Sequence, residues 1–188
     1  MACVDSCSHN ALQATLNKEG HIVPLIDESK CVNCKLCERV CPVVSKLPYS
    51  QSPVASSFAG WAKDKVVRKN SATAGAFSAL AQYVFSKGGV VCGASNVDGV
   101  LVKHICIEKV DELNKLQGSK YTQSNAEGIY KTVSVNLKQG KLVLFSGTGC
   151  QVAGLYGYLG KRKYSGRLIT VDLICGGVPS RFLINKFI

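Results

Sequence analysis

Four cysteines within eleven residues constrain this chain more than any other feature of its sequence. The stretch "CVNCKLCERVCP" places Cys31, Cys34, Cys37 and Cys41 in a C-x2-C-x2-C-x3-C spacing that ends on Pro42. Thiolates two residues apart on one tight loop can each reach a different iron at a corner of a [4Fe–4S] cube. Pro42 fixes φ and removes a backbone donor, so it turns the chain away from that loop. We therefore predict a [4Fe–4S] site here.

A structural zinc site is the main alternative for clustered thiols. Zinc usually joins two separated C-x2-C pairs, whereas this stretch carries three of its four cysteines on one short loop. A zinc-stabilised, basic binding module would contain zinc and no acid-labile sulfide. The spacing favours iron and sulfide, and metal analysis would separate the two readings.

The first residues of the chain, "MACVDSCSHNAL", resemble the second half of another such run. Cys3 and Cys7 match the third and fourth cysteines of a motif found in bacterial two-cluster ferredoxins, although Ser8 stands where those proteins have proline. In that family the fourth cysteine of each run serves the other cluster. The resemblance therefore implies one complete ligand set, Cys7, Cys31, Cys34 and Cys37.

The second cluster of that pattern would retain only Cys3 and Cys41. Its other two ligands would precede Met1, so we expect the chain to be a fragment of a longer protein. The alternative is that Cys3 and Cys7 are incidental free thiols.

The composition of the chain indicates the kind of protein and the cellular compartment. Hydrophobic residues make up 46% of the 188 residues and charged residues 19%, which is typical of a folded globular protein. No apolar run reaches the ~18–20 residues of a membrane helix, and no secretory signal precedes the cysteines. Ten cysteines in such a chain indicate a reducing compartment. We predict a cytoplasmic protein with no membrane partner.

The positive charge lies in one part of the chain. Residues 1–50 hold five basic and five acidic residues, so the whole net charge of +11 belongs to residues 51–188. A basic body can attract nucleic acid, an acidic partner protein or a phosphate-bearing cofactor. Nothing resembles a nucleic-acid motif, so we expect a redox partner protein or another subunit, and no nucleic acid.

The cysteines also divide the chain. Six of the ten precede residue 42, and the Ser- and Pro-rich stretch "SKLPYSQSPVASS" follows them. We predict a [4Fe–4S] ferredoxin-type domain over 1–46 with an incomplete first motif, a linker over 47–57, and an α/β domain over 58–188 that is incomplete at its C-terminus.

The body alternates between helical and strand patterns. We predict helices over 73–89, near 110–116, near 126–138 and near 150–159, and strands over 90–94, 100–108, 141–147 and 167–175. Strands this apolar indicate a sheet covered on both faces. The predicted fold is a small α+β ferredoxin-like module followed by an α/β domain with a mixed, mostly parallel sheet.

Several blocks of the body, in matching order and spacing, resemble one known family. They include "FAGWAKDKVVRKNSATAGAFSAL", "LQGSKYTQS", "VLFSGTGCQVAGL" and "VDLICGGVPS". They look like the beta subunits of the coenzyme F-420 hydrogenase/dehydrogenase family across roughly residues 58–182. The resemblance implies an iron–sulfur flavoprotein that binds FAD and passes electrons between clusters, flavin and a reducible partner. It leaves open whether the deazaflavin coenzyme F-420 is used.

Two segments carry the implied flavin site. In "SATAG", Ser71 and Thr73 are N-cap candidates with Gly75 close behind, at the start of a long helix. Such a terminus presents free N–H groups and a positive dipole end, which suit a flavin phosphate. The loop "GSKYTQS" supplies groups for a cofactor phosphate, ring face and amide edge, namely Lys120, Tyr121 and Gln123.

Two further cysteines follow predicted strands. Cys150 stands at the mouth of a helix, where the dipole favours thiolate, and Cys175 ends the next strand. The family pattern pairs these cysteines with a later C-x2-C segment to build a cluster near the flavin, and the chain stops before any such segment. The family usually has proline at Gly149 and histidine at Gly176.

The two remaining cysteines and the three histidines show no pattern typical of metal binding or catalysis. Cys92 and Cys106 lie in apolar strands and are predicted to be buried core residues. His9, His21 and His104 show no ligand spacing, so none is predicted to be catalytic.

The sequence thus predicts an oxidoreductase subunit that joins one-electron clusters to two-electron flavin chemistry. The alternative is a non-catalytic ferredoxin-like carrier or adaptor, whose body docks to a partner and binds no flavin.

Overall fold

The N-terminal part of the chain forms a small module around one hairpin. The computed structural model describes residues 1–45, 56–160, 164 and 166–187. The module consists of α1 (Ala2–Ser6), β1 (Leu12–Leu16), β2 (Ile22–Ile26) and α2 (Leu36–Val40). Strands β1 and β2 pair antiparallel, so the hairpin holds the two helices in one compact unit. Most of the predicted linker lies outside the described residues.

The body follows the predicted alternation of elements closely. Its elements are α3 (Lys65–Lys69), α4 (Ala76–Ser86), β3 (Val90–Asp98), β4 (Leu101–Ile107), a 3-10 helix (Val110–Lys115), β5 (Ser124–Asn125), α5 (Ile129–Lys138), β6 (Val143–Thr148), α6 (Gly149–Leu159), β7 (Leu168–Leu173) and α7 (Arg181–Ile184). No helix in the described ranges is long and apolar enough to cross a membrane.

Five strands form the central sheet of the body in the order β5-β4-β3-β6-β7. Strand β3 pairs antiparallel with β4, whereas the pairs β4–β5, β3–β6 and β6–β7 are parallel. The predicted mixed, mostly parallel sheet is confirmed. The parallel order places the carboxyl ends of β6 and β7 at the same edge, where the chain enters α6 and the segment after β7.

Both faces of the sheet are buried at β6 and at the start of β3, where the two sets of side chains alternate along the strands, whereas the edge strand β7 is half-buried to exposed. Val143 and Phe145 of β6 join a core cluster with residues of α5 and α6, whereas Leu144 joins a second cluster with α4 and the 3-10 helix. Successive side chains of a strand point to opposite faces, so an apolar run is what a sheet between two helical layers requires.

The small module packs on the α5–α6 side of the body. Ala2 of α1 and Val40 of α2 are buried within the same core cluster as Tyr130 of α5 and Leu155 of α6. The core thus continues from the body into the module, and the cysteine-bearing helices rest directly on it.

The cysteine pair of the sheet differs from its prediction in two respects, because Cys106 is only half-buried and because the two residues are bonded to each other. Cys92 is fully buried, as expected, but the structure joins it to Cys106 in a disulfide. The two residues face each other in the β3–β4 register, with Cα atoms 4.0 Å apart. Only the strand pairing brings them together, because they are 14 positions apart in sequence.

Candidate functional site

The six cysteines of the module lie on its two helices and the loop between β2 and α2. Cys3 lies on α1 and Cys7 directly follows it, Cys31 and Cys34 lie on the loop, Cys37 lies in α2, and Cys41 directly follows α2. The loop winds through left-handed conformations at Asn33 (φ 55°) and Lys35 (φ 59°). This tight winding is the local feature that the C-x2-C spacing predicts.

Packing of α1 on α2 brings Cys3 close to Cys41. Burial raises the pKa of the Cys3 thiol, and the nearby Cys41 acts in the same direction. Cys7 is placed differently, since its sulfur accepts a hydrogen bond from the Ala11 backbone N–H at 3.3 Å. Hydrogen bonds to sulfur are among the features that tune protein-bound iron–sulfur clusters.

In the part of the chain that the structure describes, no three His, Cys, Asp or Glu side chains form a group that could hold a metal ion. The donor chemistry of the module nevertheless fits an iron–sulfur cluster, because all six candidate donors are free thiols on one small unit. Cys31 and Cys34 are exposed, and the other four are half-buried.

The N-terminus of α4 differs from its prediction. Ser71 and Thr73 were the predicted N-cap candidates, but the N-cap is Gly75, with a left-handed φ of 78°. A Cβ at this position would lie 3.0 Å from the Cβ of Ala62, so the close approach of the chain explains the glycine. Ser71 instead donates to the Val67 carbonyl oxygen at 2.7 Å.

The structure joins the two segments that the flavin prediction singled out. The hydroxyls of Ser71 and Ser78 are 3.0 Å apart, and the Gln117 side-chain amide donates to Ser78 Oγ at 3.1 Å. Lys120 Nζ donates to the Gln117 carbonyl oxygen at 2.7 Å. This chain of hydrogen bonds runs from the loop before α4 to the loop after the 3-10 helix. Ser78 and Gln117 were not predicted, because no local pattern distinguishes them.

The three predicted groups of the second loop have different environments. Lys120 is half-buried, and this burial lowers the pKa of its ammonium group. Tyr121 is 75% exposed, so its ring is open to a ligand. The Gln123 amide bonds to both backbone groups of Ile22 in β2, accepting from its N–H at 2.5 Å and donating to its carbonyl at 2.9 Å. The amide edge of Gln123 is thus already used within the protein.

Cys150 and Cys175 lie at the same edge of the sheet. Strands β6 and β7 pair up to Thr148 and Leu173, and each cysteine follows two residues later. Both thiols are exposed, and Cys150 Sγ lies 3.2 Å from the Thr148 hydroxyl at the start of α6. Gly177 N–H donates to Cys175 Sγ at 3.4 Å. Both cysteines thus follow adjacent parallel strands at one edge of the sheet.

A cavity of about 280 Å³ lies between the module and the end of the β3–β4 hairpin. Its lining includes Thr15, Leu101, Lys103, Asn125 and Arg181, and none of the predicted site residues.

Asp5 is the main residue that the sequence analysis missed. It is buried between the module and the body, and its carboxylate accepts hydrogen bonds from the first turn of α5. The sequence contains an indirect sign of this contact, because the N-cap of α5 is a glycine, Gly128, which has no side chain to cap the helix. A helix start without a local cap needs its N–H groups satisfied from elsewhere.

The fold and the cysteine set define a class. In this class a ferredoxin-type module with six free cysteines rests on an α/β body. Residues 1–44 match the family model described as 4Fe-4S dicluster domain, and residues 57–131 match the model described as Coenzyme F420 hydrogenase/dehydrogenase, beta subunit N-term. The resemblance found in the sequence is therefore confirmed over these residues.

Among solved structures, a similar chain occurs in a xenon-derivatised F420-reducing [NiFe] hydrogenase complex from Methanosarcina barkeri. The TM-score is 0.55 at 22% identity, and the alignment covers 68% of this chain and 46% of that chain. At this identity the likeness concerns the fold, and the chain spans less than half the length of this neighbour. A comparison with curated proteins finds no match.

Proposed function

We propose that this chain is part of an oxidoreductase subunit that passes electrons between [4Fe–4S] clusters, FAD and a partner protein or deazaflavin-like acceptor such as coenzyme F-420. The observation that carries the proposal is the packing of α1 and α2, with their cysteines, directly on α5 and α6 of the body. Clusters transfer single electrons, and a flavin exchanges two.

The cysteines have separate roles in this proposal. Cys7, Cys31, Cys34 and Cys37 hold the intact cluster, and Cys3 and Cys41 are ligands of the incomplete one. The contact of α1 with α2 supports the second pairing, because it brings Cys3 near Cys41. Cys150 and Cys175 would contribute to a further cluster near the flavin, since they share one edge of the sheet.

The flavin would bind where α4 begins. Gly75 leaves the first turn of α4 without a side-chain cap, and free N–H groups at a helix N-terminus attract phosphate. Ser71 and Thr73 lie on the preceding loop, and Lys120 and Tyr121 lie on the loop joined to it through Gln117. Gln123 would reach the ligand only if its bonds to Ile22 opened.

Exposed apolar side chains beside the cysteine loop support a protein partner. Val32 is 58% exposed, Val43 88% and Val44 64%. Valines this exposed close to a cluster site suit the docking of another subunit or a redox protein. We propose a cytoplasmic location on the ground of the eight free thiols, although the Cys92–Cys106 disulfide is a feature that reducing compartments rarely allow.

A simple electron carrier is the second candidate. The observation that favours it is that Lys120 and Gln123 use their polar groups within the protein, on the Gln117 carbonyl and on Ile22. In that case the body would serve only to dock a partner.

Iron, acid-labile sulfide and FAD per chain, measured on protein purified without oxygen, test the proposal. About four irons, four sulfides and one FAD are expected for one intact cubane serving a flavin site. Cluster content without FAD would leave the carrier, and zinc without sulfide would refute both.

The crossed ligand assignment needs a matched pair of variants. Cys7→Ala is expected to remove the intact cluster, whereas Cys41→Ala should keep it. The opposite result, with iron lost only in Cys41→Ala, would show that the ligands are not crossed.

A further inference from the structure

A carboxylate located between two proposed cluster ligands caps a helix of the body. Asp5 lies midway between Cys3 and Cys7 and has only 3% of its surface exposed. Its Oδ1 accepts from the Gly128 N–H at 2.6 Å, and its Oδ2 accepts from the N–H groups of Tyr130 at 3.0 Å and Lys131 at 3.3 Å. These groups belong to the start of α5, 123 or more positions along the chain.

This contact makes the position of α1 depend on the body. A buried carboxylate without hydrogen-bond donors is strongly unfavourable, and the N-terminus of a helix supplies both donors and a favourable dipole. If α1 moved away from α5, Asp5 and the three N–H groups would all lose their partners. The segment from Cys3 to Cys7 is therefore fixed to α5.

Close packing supports the same attachment. A Cβ added to Gly154 of α6 would lie 3.1 Å from Tyr130 Oη and 3.6 Å from the Cβ of Ala2. The glycine thus leaves room for α1 and the Tyr130 phenol at this point of α6. Tyr130 Oη also donates to the Gln151 carbonyl oxygen at 3.2 Å, one residue beyond Cys150.

A second polar attachment holds the other end of the module. The two hydrogen bonds between Gln123 and the backbone of Ile22 fix β2 to the body in the way an adjacent strand would. The Arg181 N–H also donates to the Gly20 carbonyl oxygen at 3.3 Å. Because the module contacts the body at both α1 and β2, its orientation relative to the body is fixed at two separate places.

We propose that Asp5 is a positioning residue for the cluster-bearing module. It holds the Cys3–Cys7 segment on α5, so that the intact cluster bound through Cys7, and the second cluster site at Cys3, keep a fixed place relative to the body and its cofactor site. The inference rests on the proposed function, because it takes Cys3 and Cys7 as cluster ligands. Asp5 itself does not contact the metal in this role, and it acts through the backbone that carries the ligands.

Asp64 provides a matched control for this role. It caps α3 by accepting from the Val66 and Val67 N–H groups, but it is exposed and lies wholly within the body. Replacing either aspartate removes a helix cap, and only Asp5 joins the cap to the cluster ligands. The comparison is between Asp5→Ala, Asp5→Asn and Asp64→Ala, each as the full chain purified without oxygen.

Hydrogen exchange and cluster spectroscopy are measured on the same preparations. Asp5→Ala is expected to speed exchange about tenfold in residues 1–12 and 128–131, which corresponds to a cost of about 1.4 kcal/mol for the lost cap. Asp64→Ala should speed exchange only around α3. The electron paramagnetic resonance spectrum and midpoint potential of the cluster should change in the Asp5 variants and stay as in the wild type in Asp64→Ala.

Two results would overturn the inference. Unchanged exchange in residues 1–12 of Asp5→Ala would show that Asp5 does not hold the segment. Faster exchange in the Asp5 variants, together with an electron paramagnetic resonance spectrum and a midpoint potential like those of the wild type, would show that Asp5 only caps α5 and does not position the cluster. If Asp5→Ala does not fold, the nearly isosteric Asp5→Asn carries the test. If the wild-type protein contains no iron and no sulfide, the proposed function is refuted, and the positioning of a cluster by Asp5 is refuted with it. Hydrogen exchange would still show separately whether Asp5 attaches α1 to α5.

Discussion

Lowering the pH from 7.5 to 5 is expected to destabilise this protein through the side chain of His104. The imidazole lies on β4, buried in the sheet and stacked on Phe145 at 5.5 Å between ring centroids. Its Nε2 lies 3.2 Å from the Ser146 carbonyl oxygen, and its Nδ1 lies 2.8 Å from the Ser124 hydroxyl. Because a carbonyl oxygen only accepts, Nε2 donates and Nδ1 accepts from Ser124. The neutral ring is therefore fully satisfied.

The magnitude follows from the effect of burial on this ring. Burial lowers the pKa of His104 from 6.5 to about 4. In the unfolded chain the ring binds a proton near pH 6.5, so the unfolded state gains protons before the folded state does. The stability is therefore fully present above about pH 6.5 and is lost as the pH falls towards 4. A shift of this size corresponds to about 3 kcal/mol in total, and to about 2 kcal/mol at pH 5.

Urea unfolding at pH 7.5, 6.5 and 5.0, followed by circular dichroism, measures this loss. The free energy of unfolding of the wild type should fall by about 2 kcal/mol over this range, and that of His104→Gln should fall by much less. His9→Gln, which replaces an exposed histidine, should keep the wild-type dependence. Asp27, whose pKa is lowered to about 2 by its hydrogen bond with Lys30, titrates below this range. Equal pH slopes in wild type and His104→Gln would refute the reasoning.

Two further predictions concern packing and cross-linking. Gly89→Ala should lower the free energy of unfolding by about 3 kcal/mol, measured with urea, because the added Cβ would collide with the Leu142 carbonyl oxygen. The neighbouring Gly88 has a φ of 67° and open space around it, so Gly88→Ala should cost only about 1 kcal/mol. Similar losses in the two variants would contradict this account. Cys92 and Cys106 should resist alkylation under denaturing conditions until a reductant is added, and reduction should cost about 3 kcal/mol for a loop with a separation of 14. Immediate alkylation of both thiols would show that they are not bonded.

Local sequence patterns determined the elements of this protein. The short apolar runs predicted strands at β3, β4, β6 and β7, and the helical periods between them predicted α5 and α6 within a few residues of the observed ends. The cysteine spacing likewise predicted a tight loop, which the left-handed Asn33 and Lys35 provide. These features depend on interactions between residues close in sequence, so the sequence reveals them directly.

The predicted cap of α4 shows where local patterns fail. Ser71 and Thr73 are good capping residues by type, yet Gly75 occupies the cap. The reason is the close approach of Ala62, which leaves no room for a side chain at that point. Ala62 is held at this point because its N–H donates to the Ala74 carbonyl oxygen at 2.7 Å, a contact that the residue types of "SATAG" do not indicate.

Tertiary structure alone decided how the module and body are joined. Asp5 finds its partners on α5 more than 120 positions away, and Gln123 binds Ile22 at a separation of 101. The pairing of Cys92 with Cys106 likewise follows from strand register. Each of these contacts satisfies a polar or reactive group that its own neighbours in sequence leave without a partner. The sequence specified the candidate ligands and the elements, and the packing of the module on the body specified where those cysteines are held.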